Sequence, residues 1–138
     1  RSFVLGGTRI SRDHLELYGR LLGMAFQIRD DVLDLVGVED VVGKSLGTDL
    51  IKGKMTLPVI LTLEEVGVGA QDQLRTAVSE GDASRVRAFV ETYGGVDRAQ
   101  EYADTLIARA KSLLDVLPMC DHVRLLDVLA GITTTRTR

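Results

Sequence analysis

Acidic residues recur along one apolar segment of the chain, at spacings that could bind a metal ion. Most residues of the segment LLGMAFQIRDDVLDLV are apolar. Its amide and carboxylate side chains are spaced three, one and three residues apart, at Gln27, Asp30, Asp31 and Asp34. Residues three or four apart share a face of a helix. Since the remaining sides are apolar, the helix is predicted to be buried, and buried like charges require compensation.

Two kinds of compensation are open at this point. Arginine partners or a solvated face are the ordinary explanation of such a pattern, and a divalent cation is the chemically specific one. Mg²⁺ takes one or two carboxylates together with phosphate oxygens from a substrate. Arg29 is adjacent in sequence, but its side chain is expected about 100° around the helix from Asp30. The apolar surroundings therefore favour a metal site over a solvated face.

Basic residues follow directly in the stretch 37–55, which is long for a connection in a compact helical domain. Three of the four lysines of the chain, Lys44, Lys52 and Lys54, lie within eleven positions of this stretch. Lysine ammonium groups bind phosphates as point charges. Carboxylates for a metal beside lysines for phosphate predict a diphosphate site bridged by Mg²⁺.

Composition excludes several other classes of function. The 138 residues amount to about one domain, and a net charge of −3 argues against nucleic acid as a partner. Cys120 is the only cysteine, which excludes an internal disulfide and a cysteine-based zinc site, and His14 and His122 lack metal-ligand spacing. No run of about 18 apolar residues predicts a transmembrane segment. We expect a reduced, cytoplasmic setting.

The hydrophobic periodicity predicts an all-α fold in which residues 1–138 form a single unit without a linker. No stretch shows the alternation typical of a strand. Capping residues, glycines and prolines mark the predicted helices. These are 12–36 between Ser11 and Gly37, a helix starting at Thr56 and Pro58 and closed by Gly67 and Gly69, 71–80, a helix from Asp82 through Tyr93, one from Val96 to Pro118, and one from Asp121 to about Gly131.

Two segments, GMAFQIRDDVLDL and GKSLGTDLIKGKMTLPVI, resemble the second aspartate-rich motif and following loop of the trans-isoprenyl diphosphate synthases, the polyprenyl synthetase family. The family pattern is Gln, Asp-Asp-x-x-Asp, Gly-Lys, Gly-x-Asp and Gly-Lys-x-Thr-Leu-Pro. The residues that fill it are Gln27, Asp30, Asp31, Asp34, Gly43, Lys44, Gly47, Asp49, Gly53, Lys54 and 56–58. The opening VLGG resembles the end of the helix that precedes the motif, and LLDVLP resembles the C-terminal end of bacterial long-chain polyprenyl synthases.

The resemblance implies prenyl transfer, in which isopentenyl diphosphate condenses with an allylic prenyl diphosphate to give a longer trans-polyprenyl diphosphate in isoprenoid biosynthesis. It implies that Asp30 binds Mg²⁺ most directly. The roles it implies for the other motif residues are metal support by Asp31 and Asp34, diphosphate contact by Lys44 and Lys54, substrate binding by Asp49, and for Gln27 a place beside the reacting carbons.

Only the C-terminal half of the family's helical bundle is matched, because the first aspartate-rich motif is absent. We therefore expect a fragment that is inactive alone and that belongs to a homodimer in the complete protein. Two alternatives stay open. One is a fragment of a class I terpene cyclase, although the GK…GxD…GKxTLP loop argues against it. The other is a non-catalytic subunit or helical binding module, in which the aspartates would form a structural acidic patch. Product length and the allylic substrate are not determined by these residues.

Overall fold

A computed structural model of the chain describes residues 2–5, 8–37, 47–115 and 121–135. Its regular structure is helical apart from two short antiparallel strands at the start, in which Ser2 pairs with Ser11 and Leu5 with Thr8. The elements are β1 (Ser2–Leu5), β2 (Thr8–Ser11), α1 (Arg12–Val36), α2 (Thr48–Ile51), α3 (Leu57–Glu65), α4 (Val68–Ser79), α5 (Ala83–Thr92), α6 (Gly95–Ser112) and α7 (Asp121–Thr135).

The predicted all-α class is confirmed, and the hairpin at the start is the exception. Val4 and Leu5, which were expected to end a helix, lie in β1. The reason is local, because β-branched and aromatic residues on both sides of a Gly-Gly pair favour a hairpin over a helix end.

Most helix boundaries agree with the sequence patterns. Helix α1 has the predicted bounds, and the carboxylate of Asp82 accepts a hydrogen bond from the backbone N–H of Arg85 (3.2 Å) at the start of α5. Three boundaries differ: Gly69 lies inside α4, α6 ends at Ser112 and does not continue to Pro118, and α7 continues past Gly131 to Thr135. An exposed first turn tolerates the glycine at little cost. Residues 113–115, which were expected to be helical, form a turn.

Contacts within the chain define two compact units, one formed by Arg1–Gln27 with Tyr102–Arg138 and the other by Ile28–Glu101. In the first unit the hydroxyl of Tyr18 donates a hydrogen bond to the carbonyl of Leu126. Burial raises the pKa of this hydroxyl, and the charge of Asp127 adds to the effect. The single domain expected over 1–138 stays a prediction.

The second unit has an aliphatic core to which all of its helices up to α5 contribute. Burial of a large aliphatic side chain stabilises a fold by about 1.5–3 kcal/mol. Leu35 near the end of α1 and Leu50 in α2 both belong to this core, so α2 and the end of α1 are held by the same packing. The buried members are Leu35, Leu50, Val59, Leu63, Leu74, Ala77, Val78, Val86 and Val90.

Helix α6 starts in direct contact with α3, and a glycine makes this possible. A Cβ atom at Gly95 would lie 2.2 Å from Oγ1 of Thr62 and 2.5 Å from the carbonyl oxygen of Pro58. Thr62 is fully buried, and its hydroxyl donates a hydrogen bond to the carbonyl of Pro58 (2.8 Å). The neighbouring atoms therefore have little freedom to move away.

Gly95→Ala should lower the free energy of unfolding by about 1–3 kcal/mol, because the added methyl group overlaps buried backbone. Gly69→Ala is the matched control: nothing lies within 4 Å of a Cβ at that helical position, so the change should be neutral or stabilising by up to about 1 kcal/mol. Chemical denaturation measures both. Equal effects would contradict the close approach of α6 to α3.

Candidate functional site

The acidic face of α1, formed by Asp30, Asp31 and Asp34, is largely buried. Asp31 is 7% exposed and Asp34 is 3% exposed, while Asp30 is half-buried. Arg29, on the same helix, is 2% exposed. A solvated face therefore does not account for Asp31 and Asp34, and hydrogen bonds or opposite charges must compensate for their burial.

Asp34 holds the beginning of the segment 47–54 against α1. Its Oδ2 accepts a hydrogen bond from the backbone N–H of Asp49 (3.1 Å), and its carbonyl oxygen accepts one from the N–H of Gly47 (2.8 Å). Gly47 has a φ of +74°, and a Cβ there would lie 2.9 Å from Cβ of Ala83. Both its conformation and its close neighbour require glycine at this position.

The same segment ends in a turn that places Lys54. After the single turn of α2, Gly53 adopts a φ of +71° and donates its N–H to the carbonyl of Leu50 (2.9 Å). The N–H of Lys54 donates to the carbonyl of Asp49 (2.8 Å). These two bonds form a Schellman motif, the usual way to end a helix with glycine. The Gly-Lys pair of the sequence thus fixes where the lysine backbone lies.

The ammonium group of Lys54 lies beside the acidic face of α1. Its Nζ lies 3.3 Å from Oδ1 of Asp31 and 3.7 Å from Oδ1 of Asp49. The hydrogen bond to Asp31 raises the pKa of Lys54 above its usual 10.5, and the charges of Asp31, Asp49 and Asp30 act in the same direction. The lysine side chain is 47% exposed, so an anion in solution can reach it.

Four of the predicted site residues meet in this arrangement: Asp31, Asp34, Asp49 and Lys54. Asp30 adjoins Asp31 in α1 and acts electrostatically on Lys54. Gln27 lies three residues before Asp30 on the same helix, and its side chain is exposed. The prediction for Lys44 falls outside the described residues.

The described residues contain no group of three histidine, cysteine or acidic side chains arranged to hold a metal ion. The partly exposed carboxylate of Asp30 nevertheless offers the hard oxygen ligands that Mg²⁺ prefers, and one such carboxylate suffices where waters and substrate phosphates complete the shell. None of the described helices combines the length and hydropathy that a membrane crossing requires.

Arg87 contacts the end of α1 in a way that the sequence patterns did not indicate. Its guanidinium donates a hydrogen bond from Nη2 to the carbonyl oxygen of Val36 (2.6 Å), at the last residue of α1. A cation at this end of a helix satisfies a carbonyl that lacks a helical partner and also favours the helix dipole. Because 51 residues separate the two partners, no local pattern could have predicted the contact.

Comparison with known proteins shows extended similarity to one family. Residues 3–94 match the sequence profile of the family described as Polyprenyl synthetase. The short chain isoprenyl diphosphate synthase of Methanothermobacter thermautotrophicus is 36% identical over 134 residues, which are 95% of this chain and 41% of that protein. The octaprenyl diphosphate synthase of Haemophilus influenzae is 31% identical over 139 residues, 98% of this chain and 42% of that protein. The chain thus spans about two fifths of the length of these curated relatives.

Solved structures agree with the sequence comparison. The chain is similar to the geranylgeranyl pyrophosphate synthase of Corynebacterium glutamicum, crystallised in complex with isoprenyl diphosphate and magnesium. The TM-score is 0.74 at 29% identity, over 90% of this chain and 37% of that one.

Lys54→Met should lower the free energy of unfolding at pH 7 by about 1 kcal/mol, because Asp31 loses its ammonium partner while solvent screens part of the interaction. A raised pKa means that the lysine contributes fully below pH 10.5 and that the contribution is lost as the pH rises through the folded-state value. The difference from wild type should therefore be constant from neutral to mildly basic pH and shrink in strong base.

Lys52→Met is the control for this experiment, because the exposed Lys52 forms no ion pair with a described residue. Its effect should stay below about 0.5 kcal/mol at every pH. Urea denaturation at several pH values measures both variants. An equal loss for the two lysines, or a Lys54 effect that persists in strong base, would contradict the pairing with Asp31.

Proposed function

The chain belongs to the polyprenyl synthetase family, and from this premise we propose that it supplies the second magnesium–diphosphate half-site of a prenyltransferase. The complete protein would condense isopentenyl diphosphate with an allylic prenyl diphosphate into a longer trans-polyprenyl diphosphate, as a homodimer. The observation that carries the proposal is the accessible ammonium group of Lys54, held 3.3 Å from Asp31 and next to Asp30. It places a cation that could bind phosphate beside two carboxylates, of which Asp30 is the more accessible to a metal ion.

Asp30 is the residue that we assign to Mg²⁺ most directly. It is the most exposed of the three aspartates, while Asp31 already accepts a hydrogen bond from Lys54 and Asp34 accepts one from the backbone of α2. When bound, the cation neutralises the carboxylates and stabilises the charge that develops on the leaving diphosphate. Asp31 and Asp34 would support the metal site from positions that solvent hardly reaches.

Lys54, together with Lys44, would bind the diphosphate oxygens. In prenyl transfer the allylic C–O bond breaks and its electron pair leaves with the diphosphate. The double bond of isopentenyl diphosphate then forms the new C–C bond, and a proton is lost. Fixed ammonium groups beside the leaving group stabilise it as its charge grows. Asp49 would orient Lys54, and Gln27 would lie beside the reacting carbons.

A structural ion cluster is the second candidate, because Lys54 already pairs with both Asp31 and Asp49 in the chain. In that case the chain would be a non-catalytic subunit, and the cluster would bind neither metal nor diphosphate. The terpene cyclase alternative has no comparable support, since the family match covers the loop that speaks against it.

Inorganic diphosphate should bind the 138-residue chain at least about tenfold more tightly with Mg²⁺ than with EDTA. The reason is that the carboxylates repel the anion until a cation lies between them. Isothermal titration calorimetry in the two buffers measures this ratio. Equal affinity in EDTA would contradict the half-site and favour the structural cluster.

Asp30→Ala should abolish the effect of Mg²⁺ on diphosphate affinity without lowering stability, since removing one of several like charges relieves repulsion. Asp72→Ala, which removes an exposed carboxylate from α4, should leave both properties unchanged. Calorimetry and thermal melting give the two readouts. A melting temperature that falls by many degrees for Asp30→Ala alone would show that the residue serves the fold and not the ligand.

The 138-residue chain alone should show no prenyl transfer. By the family resemblance, transfer needs a second aspartate-rich motif facing this one, and the sequence of the chain contains only one Asp-Asp-x-x-Asp motif. Incubation with radiolabelled isopentenyl diphosphate, an allylic diphosphate and Mg²⁺, followed by extraction of the apolar product, tests this expectation. Labelled polyprenyl product from the chain alone would contradict the half-site.

A further inference from the structure

Asp34 contacts the segment 47–54 at two points, through its side chain and through its backbone. We propose that Asp34 is a positioning residue for Lys54 and not a ligand of the metal ion. The inference rests on the proposed function, because it takes Lys54 as the group that contacts the diphosphate. Asp30 and Asp34, one helical turn apart in the motif, would then have different tasks: Asp30 binds the metal ion, and Asp34 positions Lys54.

The contacts run from Asp34 to Lys54 through a single residue, Asp49. Asp49 donates its backbone N–H to Oδ2 of Asp34 (3.1 Å), and its carbonyl accepts the N–H of Lys54 (2.8 Å). The N–H of Gly47 donates to the carbonyl of Asp34 as well (2.8 Å). A displacement of Asp49 would therefore carry the backbone of Lys54 with it, and small displacements of a binding group are costly.

The segment 47–54 contacts α1 at its other end as well. The ammonium group of Lys54 lies 3.3 Å from Asp31, three residues before Asp34 in α1. The segment 47–54 is thus fastened to one face of α1 at its start by Asp34 and at its end by Asp31. Its middle is held by Leu50, which is 3% exposed in the core.

Burial argues against metal ligation by Asp34. The side chain belongs to a residue that is 3% exposed, and one of its two carboxylate oxygens already accepts a backbone hydrogen bond. Mg²⁺ gives up its water reluctantly and usually keeps several water ligands when it binds a protein. Asp34 therefore offers a hydrated ion far less access than the more exposed Asp30 does.

Substitution by asparagine separates the two roles. The side-chain carbonyl of asparagine still accepts a hydrogen bond from the N–H of Asp49, but it lacks the negative charge that favours Mg²⁺. Asp34→Asn should keep Mg²⁺-dependent affinity for inorganic diphosphate within about threefold of wild type, and Asp34→Ala should lose about tenfold or more. Asp30→Asn should lose as much as Asp30→Ala, since charge matters there. Calorimetry on the full 138-residue chain gives these affinities.

Amide hydrogen exchange provides a readout that needs no ligand. The N–H groups of Gly47, Asp49 and Lys54 should exchange faster in Asp34→Ala than in wild type, and at wild-type rates in Asp34→Asn. Asp72→Ala, as the exposed control, should leave both exchange and affinity unchanged. Together these results would support the positioning role.

Either of two results would overturn the proposal. One is amide exchange in 47–54 that is unchanged in Asp34→Ala. The other is loss of Mg²⁺-dependent diphosphate binding in Asp34→Asn while its amides exchange at wild-type rates, which is the behaviour of a metal ligand. If Asp34→Ala fails to fold, the asparagine variant decides between the roles. A wild-type chain that binds no diphosphate with Mg²⁺ would contradict the proposed function instead, and the exchange measurements would still test whether Asp34 holds the segment.

Discussion

Two carboxylates one helical turn apart, both almost withdrawn from water, are the constraint on which the site depends. Asp31 and Asp34 are 7% and 3% exposed, and such charges are tolerated only where hydrogen bonds or opposite charges replace water. Both are satisfied by one short segment, since Asp34 accepts the N–H of Asp49 and Asp31 accepts the ammonium of Lys54. The acidic helix and the lysine segment therefore stabilise each other.

The segment 47–54 depends on this mutual arrangement because it has little stability of its own. Helix α2 is a single turn of four residues, far shorter than a helix that forms alone in water. Leu50 anchors it in the aliphatic core, while Gly47 and Gly53 adopt the positive φ values that its two ends require. Tertiary contacts thus place Lys54 where helix propensity could not.

Local patterns in the sequence predicted the elements that local physics controls. The apolar periodicity predicted α1 with its observed bounds, and Asp82 was predicted as a cap because its carboxylate satisfies a nearby N–H. The contact of Asp34 with Asp49 was not predictable, because the two residues are 15 positions apart in the sequence. The spacing of the motif indicated shared chemistry for its three aspartates, whereas their burial and partners separate them. Residue types therefore predicted that acidic and basic side chains would lie together, and tertiary packing determined how exposed each one is and which partner it has.

The central claim is that Asp30, Asp31 and Lys54 form one binding site for a metal–diphosphate complex. Paramagnetic relaxation tests it most directly, since Mn²⁺ shares the preference of Mg²⁺ for oxygen ligands and broadens amide signals near it. With Mn²⁺ and inorganic diphosphate added to the isotope-labelled chain, the strongest broadening is expected at 30–31 and 53–54, and it should weaken sharply when diphosphate is left out. Broadening centred elsewhere, or independent of diphosphate, would contradict the account.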